Sequence, residues 1–254
     1  QASQNVAWSE VHFTISTHLA NGCDGEAVRG ALDQAIGEAE RDLGVSMKLI
    51  PDIVRNIGLA SADATIEWAL ADRTGRVAAI GLAGIENGYP NEPFREHFDA
   101  ARKAGLGVVA HAGEHGGPES IRSVLDVVGP DRLDHGVRAI DDAALLADLR
   151  ERGMPLDITP SSNLCLGVYP DLASHPFDRL RRAGIAVNVG SDDPPFFDTN
   201  LTREYARLAE TFHYGPNELG ELSIAALRAA FLPAERKAAL ETEFRARLTE
   251  LTES

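Results

Sequence analysis

Short runs of apolar and β-branched residues recur along the chain, and the stretches between them carry apolar residues at helical spacing. The seven runs are residues 6–14, 46–54, 77–83, 106–110, 131–135, 154–160 and 184–191. A strand followed by a helix, repeated in this way, predicts parallel strands joined by right-handed crossovers.

Helix start and stop signals mark several of the intervening segments. Asp24 or Gly25 stands before EAVRGALDQAIGEAERDL, Ser61 stands before ADATIEWALADRT, and Gly117 with Pro118 opens PESIRSVLDVV. Glycine follows each segment, at positions 44, 75 and 129. Beyond residue 191, TREYARLAETF, ELGELSIAALRAAFL and PAERKAALETEFRARLTEL predict helices with no further strand.

Polar residues or glycine stand at the downstream end of nearly every predicted strand. They are His12, Arg55, Gly84 with Glu86, His111, His135, residues 161–163, and Asp192 with Asp193. In a TIM-type (β/α)8 barrel these ends meet on one rim, whereas the edges of an open sheet stay apart. We therefore expect one α/β barrel domain over residues 1–254, with C-terminal helices. Because seven strands are counted and the chain opens with Gln1, we expect the first βα unit to be missing from this chain.

Composition narrows the range of partners. The formal charge is −15 and the isoelectric point is about 4.9, so the electrostatic field disfavours nucleic acid and anionic membrane surfaces. Cys23 and Cys165 are the only cysteines, which argues against a disulfide framework and against a thiolate zinc site. No apolar run approaches the ~20 residues that span a bilayer. We expect a cytoplasmic protein that acts on a small molecule, and the sequence leaves its oligomeric state open.

The first candidate chemistry lies in GVVAHAGEHGG, residues 107–117, where His111, Glu114 and His115 stand among glycines after a predicted strand. This spacing matches the H-x-x-E-H motif of some metalloproteases, in which a helix places both histidines on one face. The glycines and Pro118 argue against a helix here and therefore against that interpretation. The H-x-E and P-C-x-x-C signature of nucleobase deaminases is absent.

Two further candidates follow later strands. In GSDDPPFF, residues 190–197, the adjacent Asp192 and Asp193 repel each other unless a metal or hydrogen-bond donors lie between them. Alternatively, this turn caps the helix predicted at TNLTREY. In RLDHG, residues 132–136, His135 is either a catalytic base or a structural histidine.

Together these motifs resemble the adenosine and adenine deaminase family, zinc-dependent (β/α)8 hydrolases of the amidohydrolase superfamily. The resemblance rests on EVHFT, GLAG followed by Glu86, HAGE, the DHG of RLDHG, the SSN of ITPSSN, and SDDP, which occur in the family's order at predicted strand ends. It extends from about Asn5 to Leu251 and includes a T-x-L-x-x-EY segment after SDDPP.

The resemblance implies roles for the residues at these strand ends. His111 and Asp192 would ligate zinc, through an imidazole nitrogen and a carboxylate. Glu114 would deliver a proton to the purine ring nitrogen beside the carbon under attack. His135 would orient and deprotonate the zinc-bound water, whose pKa the metal lowers from ~16 to about 7.

The resemblance also implies substrate contacts. Asp193 would hydrogen-bond a second purine ring nitrogen, and the backbone N–H of Gly84 would meet a third. Glycine at position 84 lets a flat base approach the main chain closely. His115 and Cys165 have no implied role.

The sequence departs from the family pattern in two places. No H-x-H pair, which supplies two zinc ligands in the family, occurs in the 254 residues. His111 and Asp192 alone are too few ligands, so the one zinc ion expected per subunit requires two further histidines, or else the chain is an inactive remnant. Asp134 stands where many adenosine deaminases have glycine and adenine deaminases have Asp, which leaves the choice between base and nucleoside open.

The resemblance implies hydrolytic deamination of adenosine to inosine and ammonia. Adenine or an N6-substituted adenine is the closest alternative, because a pocket without ribose contacts cannot easily reject a smaller base. An alternative of another class is a purine-binding protein that has lost the metal and with it catalysis.

Overall fold

Seven β-strands alternate with helices along residues 1–253, which are the residues that this computed structural model describes. The strands are β1 (Trp8–Phe13), β2 (Ser46–Val54), β3 (Ala79–Ala83), β4 (Gly107–Ala112), β5 (Arg132–His135), β6 (Leu156–Ile158) and β7 (Val187–Val189). Each strand lies inside a predicted run or within two residues of one. The pairs β1–β2, β2–β3, β3–β4, β5–β6 and β6–β7 are parallel, as predicted.

Helices fill the segments between the strands and the C-terminal region. They are α1 (Ile15–Ala20), α2 (Gly25–Leu43), α3 (Leu59–Leu70), α4 (Arg95–Lys103), α5 (Pro118–Val127), α6 (Ala143–Arg152), α7 (Pro160–Cys165), α8 (Phe177–Arg182), α9 (Pro194–Phe197), α10 (Leu201–Phe212), α11 (Pro216–Ala229) and α12 (Ala234–Glu253). In the part of the chain that is described, no helix combines the length and the apolar character that crossing a bilayer requires.

The predicted bounds of α3 are wrong at both ends. The helix begins at Leu59, directly after Gly58, rather than after Ser61. It ends at Leu70 because the Asp72 carboxylate accepts hydrogen bonds from the backbone N–H groups of Thr74 and Val77 and so closes a turn.

The described chain forms two compact units. The first unit comprises Gln1–His111 and Ser123–Asp131, and the second comprises residues 112–122 and 132–253. The single domain inferred over residues 1–254 stays a prediction.

In the first unit, β1, β2, β3 and β4 pair in chain order. The middle of β2, residues 49–53, is buried, and Ile50 and Ile53 are fully enclosed. Helices α3 and α4 cover this sheet with Trp68 and Phe98, which are also buried. Burying side chains of this size contributes roughly 1.5–3 kcal/mol each, which is what holds the strand ends in place.

In the second unit, β5, β6 and β7 pair in chain order. Helices α8 and α11 pack against β7, and Leu145 and Leu149 of α6 and Phe177 of α8 are fully buried. A polar group runs across the three strands: Arg132 Nε lies 2.6 Å from Asp157 Oδ2, and Asn188 Nδ2 donates to Asp157 Oδ1. The ion pair and the amide hydrogen bond link the three strands.

Candidate active site

The loop after β4 contains the glycine-rich motif found in the sequence. Residues 113–117 are not helical. The metalloprotease interpretation of H-x-x-E-H requires a helix here and is therefore ruled out. Gly113 has φ 71°, and a Cβ there would lie 2.5 Å from Ile121 Cδ1. Only glycine therefore fits this turn, which places Glu114 beside the end of β5.

Glu114 lies among three hydrogen-bonding side chains. Asn163 Nδ2 donates to Glu114 Oε1 over 3.1 Å, and His135 Nδ1 is 3.6 Å from the same oxygen. His115 Nδ1 is 3.1 Å from Glu114 Oε2. The two residues for which catalytic roles were predicted, Glu114 and His135, are thus neighbours in the second unit.

His135 is buried and has an unusual backbone conformation. Its φ is 64°, in the left-handed region that non-glycine residues rarely adopt. Its Nδ1 lies 3.2 Å from Thr159 Oγ1 and 3.3 Å from Asn163 Nδ2. Strain of this kind costs about 1–3 kcal/mol and is concentrated at functional positions.

The Asp192–Asp193 pair follows β7, and both residues are exposed. Asp192 also has a positive φ, 53°, and Thr159 Oγ1 lies 3.5 Å from its Oδ2. The alternative in which this pair caps the helix at TNLTREY is wrong, because Asn200 caps α10 by accepting from Arg203 N–H. Asp193 precedes the short α9, and its side chain makes no cap hydrogen bond.

One buried histidine behind Asn163 was not singled out from the sequence. His175 is 2% exposed, its Nε2 lies 3.1 Å from Asn163 Oδ1, and Phe177 N–H donates to its Nδ1 over 3.2 Å. Burial lowers the pKa of His175 to about 3, and the charge of Arg179, and that of His135 when it is protonated, act in the same direction. His175 is therefore neutral at ordinary pH.

A buried carboxylate supports the start of α7 and was likewise missed as a site residue. Glu204 is 1% exposed, and its Oε2 accepts from the backbone N–H of Ser161 over 3.1 Å. The Thr199 hydroxyl donates to Glu204 Oε1, and Arg207 donates to the Ser161 hydroxyl. These bonds join α10, and the turn before it, to the helix that carries Asn163. The T-x-L-x-x-EY pattern was the available signal.

A second polar group lies at the strand ends of the first unit. His12 Nδ1 is 2.9 Å from Asp52 Oδ1, and the rings of His12 and His111 lie edge to face with centroids 5.8 Å apart. Gly81 makes room for this pair, since a Cβ there would lie 1.8 Å from Asp52 Oδ1.

Arg55 ties together three strand ends of the first unit. This residue is 3% exposed, and it donates to Asn91 Oδ1 over 2.9 Å, to the carbonyl of Ala83 over 3.3 Å and to the carbonyl of His111 over 2.6 Å. Burial lowers its pKa to about 10, so it stays charged at neutral pH. Gly84, where a substrate contact was predicted, is the residue after Ala83 at the end of β3. Its φ is 86°, and a Cβ at this position would lie 2.5 Å from Asn56 Oδ1.

Zinc requires more ligands than these residues assemble. Among residues 1–253, no three His, Cys, Asp or Glu side chains come together as a metal site needs. Catalytic zinc sites use three protein ligands. The described residues, His111 and Asp192 included, therefore do not fit a zinc ion by themselves, and their role as ligands stays a prediction.

Comparison with known proteins gives a family match and close sequence relatives. The family model described as adenosine deaminase matches residues 1–246. An adenine deaminase from Agrobacterium fabrum is 39% identical over 231 residues, which are 91% of this chain and 71% of the relative. An adenine deaminase from Rhodospirillum rubrum is 39% identical over 245 residues, which are 96% of this chain and 73% of the relative.

Solved structures share the fold. An adenine deaminase from Arthrobacter aurescens has a TM-score of 0.92 and 31% identity, over 100% of this chain and 76% of its own. An amidohydrolase from Burkholderia ambifaria with bound Zn has a TM-score of 0.93 and 27% identity, over 99% of this chain and 71% of its own. The N6-methyl-AMP deaminase of Arabidopsis thaliana has a TM-score of 0.85 and 25% identity, over 96% of this chain and 74% of its own. The predicted α/β class of the TIM-barrel type is confirmed.

Proposed function

Because the chain belongs to the adenosine deaminase family, we propose that the protein catalyses the hydrolytic deamination of a 6-aminopurine, with adenine as its substrate. Water adds at the carbon that bears the amino group, ammonia leaves, and adenine becomes hypoxanthine. The observation that carries the proposal is the cluster of Glu114, Asn163 and His135, in which a carboxylate and an imidazole lie close together at strand ends.

The proton transfers follow from this arrangement. His135 accepts the proton that the attacking water gives up, and Glu114 delivers its proton to the ring nitrogen beside the carbon under attack. The amino group then takes up a proton and departs as ammonia. Asn163 donates to the Glu114 carboxylate and lies beside His135, so one amide orients both proton carriers. Asp193 and the backbone N–H of Gly84 are proposed to bind the purine ring.

We propose adenine rather than adenosine because of the sequence relatives. Both sequence relatives described above are named adenine deaminase, whereas the prediction of adenosine has only the family description behind it. Asp134, buried in β5, agrees with the adenine deaminase pattern. An N6-substituted adenine is the second candidate, because the similar Arabidopsis enzyme is named for an N6-methylated nucleotide.

Zinc is proposed as the cofactor because a similar amidohydrolase was solved with bound Zn. When bound, zinc would supply the activation of the attacking water. His111 and Asp192 are proposed to contribute ligands, and the remaining ligands would have to come from elsewhere. We further propose that the enzyme acts in the cytoplasm on a small purine.

A substrate panel tests the proposal. Purified protein with added zinc is given adenine, adenosine and N6-methyladenine, and ammonia release is measured together with the purine product. We expect kcat/KM for adenine to exceed that for adenosine by about 100-fold or more, as expected of a site built around a base. If kcat/KM is higher for adenosine or for N6-methyladenine, that compound replaces adenine as the proposed substrate. Protein that holds zinc and binds adenine but releases no ammonia would favour the purine-binding alternative.

A further inference from the structure

We propose that His175 is a positioning residue for the deamination, because its Nε2–H holds the side-chain amide of Asn163 in the one orientation that serves both Glu114 and His135. The inference rests on the proposed function for its catalytic consequence. The contacts that define it lie within the second unit and stand without that function.

The orientation of the Asn163 amide follows from Glu114. Asn163 Nδ2 lies 3.1 Å from Glu114 Oε1, and this oxygen accepts from the NH2 group both when the carboxyl group is ionised and when it carries its proton on Oε2. The amide oxygen consequently points the other way, toward His175 Nε2 at 3.1 Å. Since an amide oxygen only accepts, His175 Nε2 must carry a proton.

The other side of the His175 ring gives the same result independently. The backbone N–H of Phe177 donates to Nδ1 over 3.2 Å, so Nδ1 must be the unprotonated nitrogen. Both contacts therefore select the neutral ring with its proton on Nε2. The burial of His175 and its low pKa agree with that state.

The bond between His175 and Asn163 is shielded from water. Asn163 is fully buried and His175 is 2% exposed, with the ring of Tyr169 stacked edge to face at 4.9 Å. The Asn163 backbone is held separately, because its carbonyl accepts from Val168 N–H over 2.8 Å. His175 thus controls the side-chain torsion of Asn163. If the amide turned over, its oxygen would face the Glu114 carboxylate and the attraction would become repulsion.

Two conservative substitutions separate the proposed role from ring packing. In His175→Gln the amide nitrogen stands near the former Nε2 and still donates to Asn163 Oδ1. In His175→Asn the amide oxygen stands near the former Nδ1 and still accepts from Phe177 N–H, but no donor reaches Asn163. We expect H175N to lower kcat for adenine by about 30-fold with KM nearly unchanged, and H175Q to stay within about 3-fold of wild type. Equal kcat values in H175N and wild type, or equal losses in both variants, would overturn the proposal.

A double-mutant cycle tests whether His175 acts through Asn163. In an Asn163→Ala background, H175N should cause no further loss of kcat, because the amide that it orients is gone. A further loss as large as in the wild-type background would show that His175 acts by another route and would overturn the proposal. Thermal melting shows whether each variant is folded. If a variant does not fold, the proposal is tested by ¹⁵N NMR of the wild-type protein instead.

The tautomer of His175, observed by ¹⁵N NMR, tests the proposed hydrogen bond to Asn163 without an activity measurement. We expect the His175 ring of the wild-type protein to stay neutral with its proton on Nε2 from about pH 5 to pH 8. A proton on Nδ1, or protonation of both nitrogens in that interval, would overturn the proposal. If wild-type protein with bound zinc deaminates none of the purines, the proposed function fails, and the tautomer still decides how His175 holds Asn163.

Discussion

The strand ends of the two units are secured in different ways. In the first unit, the Arg55 guanidinium binds the main-chain carbonyls of Ala83 and His111, so a side chain holds backbone. In the second unit, the Asn163 amide contacts Glu114, His135 and His175, so a side chain holds other side chains. The difference indicates that the first unit supplies a rigid frame, whereas the second supplies groups whose orientation must be set atom by atom.

Substituting Glu114 should have the largest effect and should leave the frame intact. Glu114→Gln keeps an oxygen that accepts from Asn163, but an amide cannot pass a proton, so we expect kcat to fall by about 1000-fold, equivalent to ~4 kcal/mol. The unfolding midpoint should be unchanged. Initial rates of ammonia release and a denaturant titration measure both quantities. Glu151→Gln, an exposed position on α6, is the control. Near wild-type turnover in E114Q would remove Glu114 from the proposed chemistry.

Substituting Arg55 should lower the stability of the protein, whereas substituting Glu114 should lower its turnover. Arg55→Met leaves the buried Asn91 Oδ1 and two half-buried main-chain carbonyls without this donor, so we expect the free energy of unfolding to fall by about 3 kcal/mol. Arg41→Met, an exposed position on α2, should change stability by no more than about 0.5 kcal/mol. Equilibrium denaturation of both variants measures the difference. Equal stabilities would mean that the first unit is not held through Arg55.

A methyl group at Gly81 tests the packing of the first unit. Gly81→Ala places a Cβ against the Asp52 carboxylate, and we expect a loss of about 2 kcal/mol in unfolding free energy. Gly30→Ala has open space around its Cβ within α2, so the same change there should stabilise the protein by about 1 kcal/mol. Changes of the same sign in the two variants would contradict the packing argument.

The pH dependence of stability should reveal the buried, neutral state of His175. Its folded pKa, about 3, lies below the ordinary histidine value of 6.5, so the unfolded chain binds the proton first as the pH falls. The contribution of His175 is therefore present above pH 6.5 and is lost progressively on acidification, by up to about 1.4 kcal/mol per pH unit. His175→Gln removes this term, and its unfolding free energy should fall less steeply than wild type between about pH 6 and pH 4.5. Parallel curves would contradict the low pKa.

Periodicity alone predicted much of the fold. The run at 46–54 coincides with β2, in which residues 49–53 are buried and mostly apolar, as is typical of a parallel strand. The end of α3 could not be predicted in this way, since the Asp72 side chain closes a turn within a segment of helical composition. Helix ends depend on single hydrogen bonds, and hydrophobic spacing does not record them.

The site was predicted in part. The glycines around Glu114 indicated a sharp turn at a strand end, and the structure has that turn beside His135. His175 stands 12 residues from Asn163, and Glu204 stands 43 residues from Ser161. Neither contact follows from local spacing, because each depends on how a loop or a later helix folds back onto α7. The assignment of His111 and Asp192 as zinc ligands stays a prediction, because the described residues bring no three such side chains together.

The neutral state of His175 has a consequence for the catalytic cycle. In the proposed reaction Glu114 and His135 each gain and lose a proton in every turnover, whereas the Asn163 amide and the His175 imidazole behind them keep theirs. The scaffold around the moving protons therefore has little dielectric response of its own. Charge can shift across the site without the surrounding dipoles having to reorient, which keeps the reorganisation energy of each transfer small.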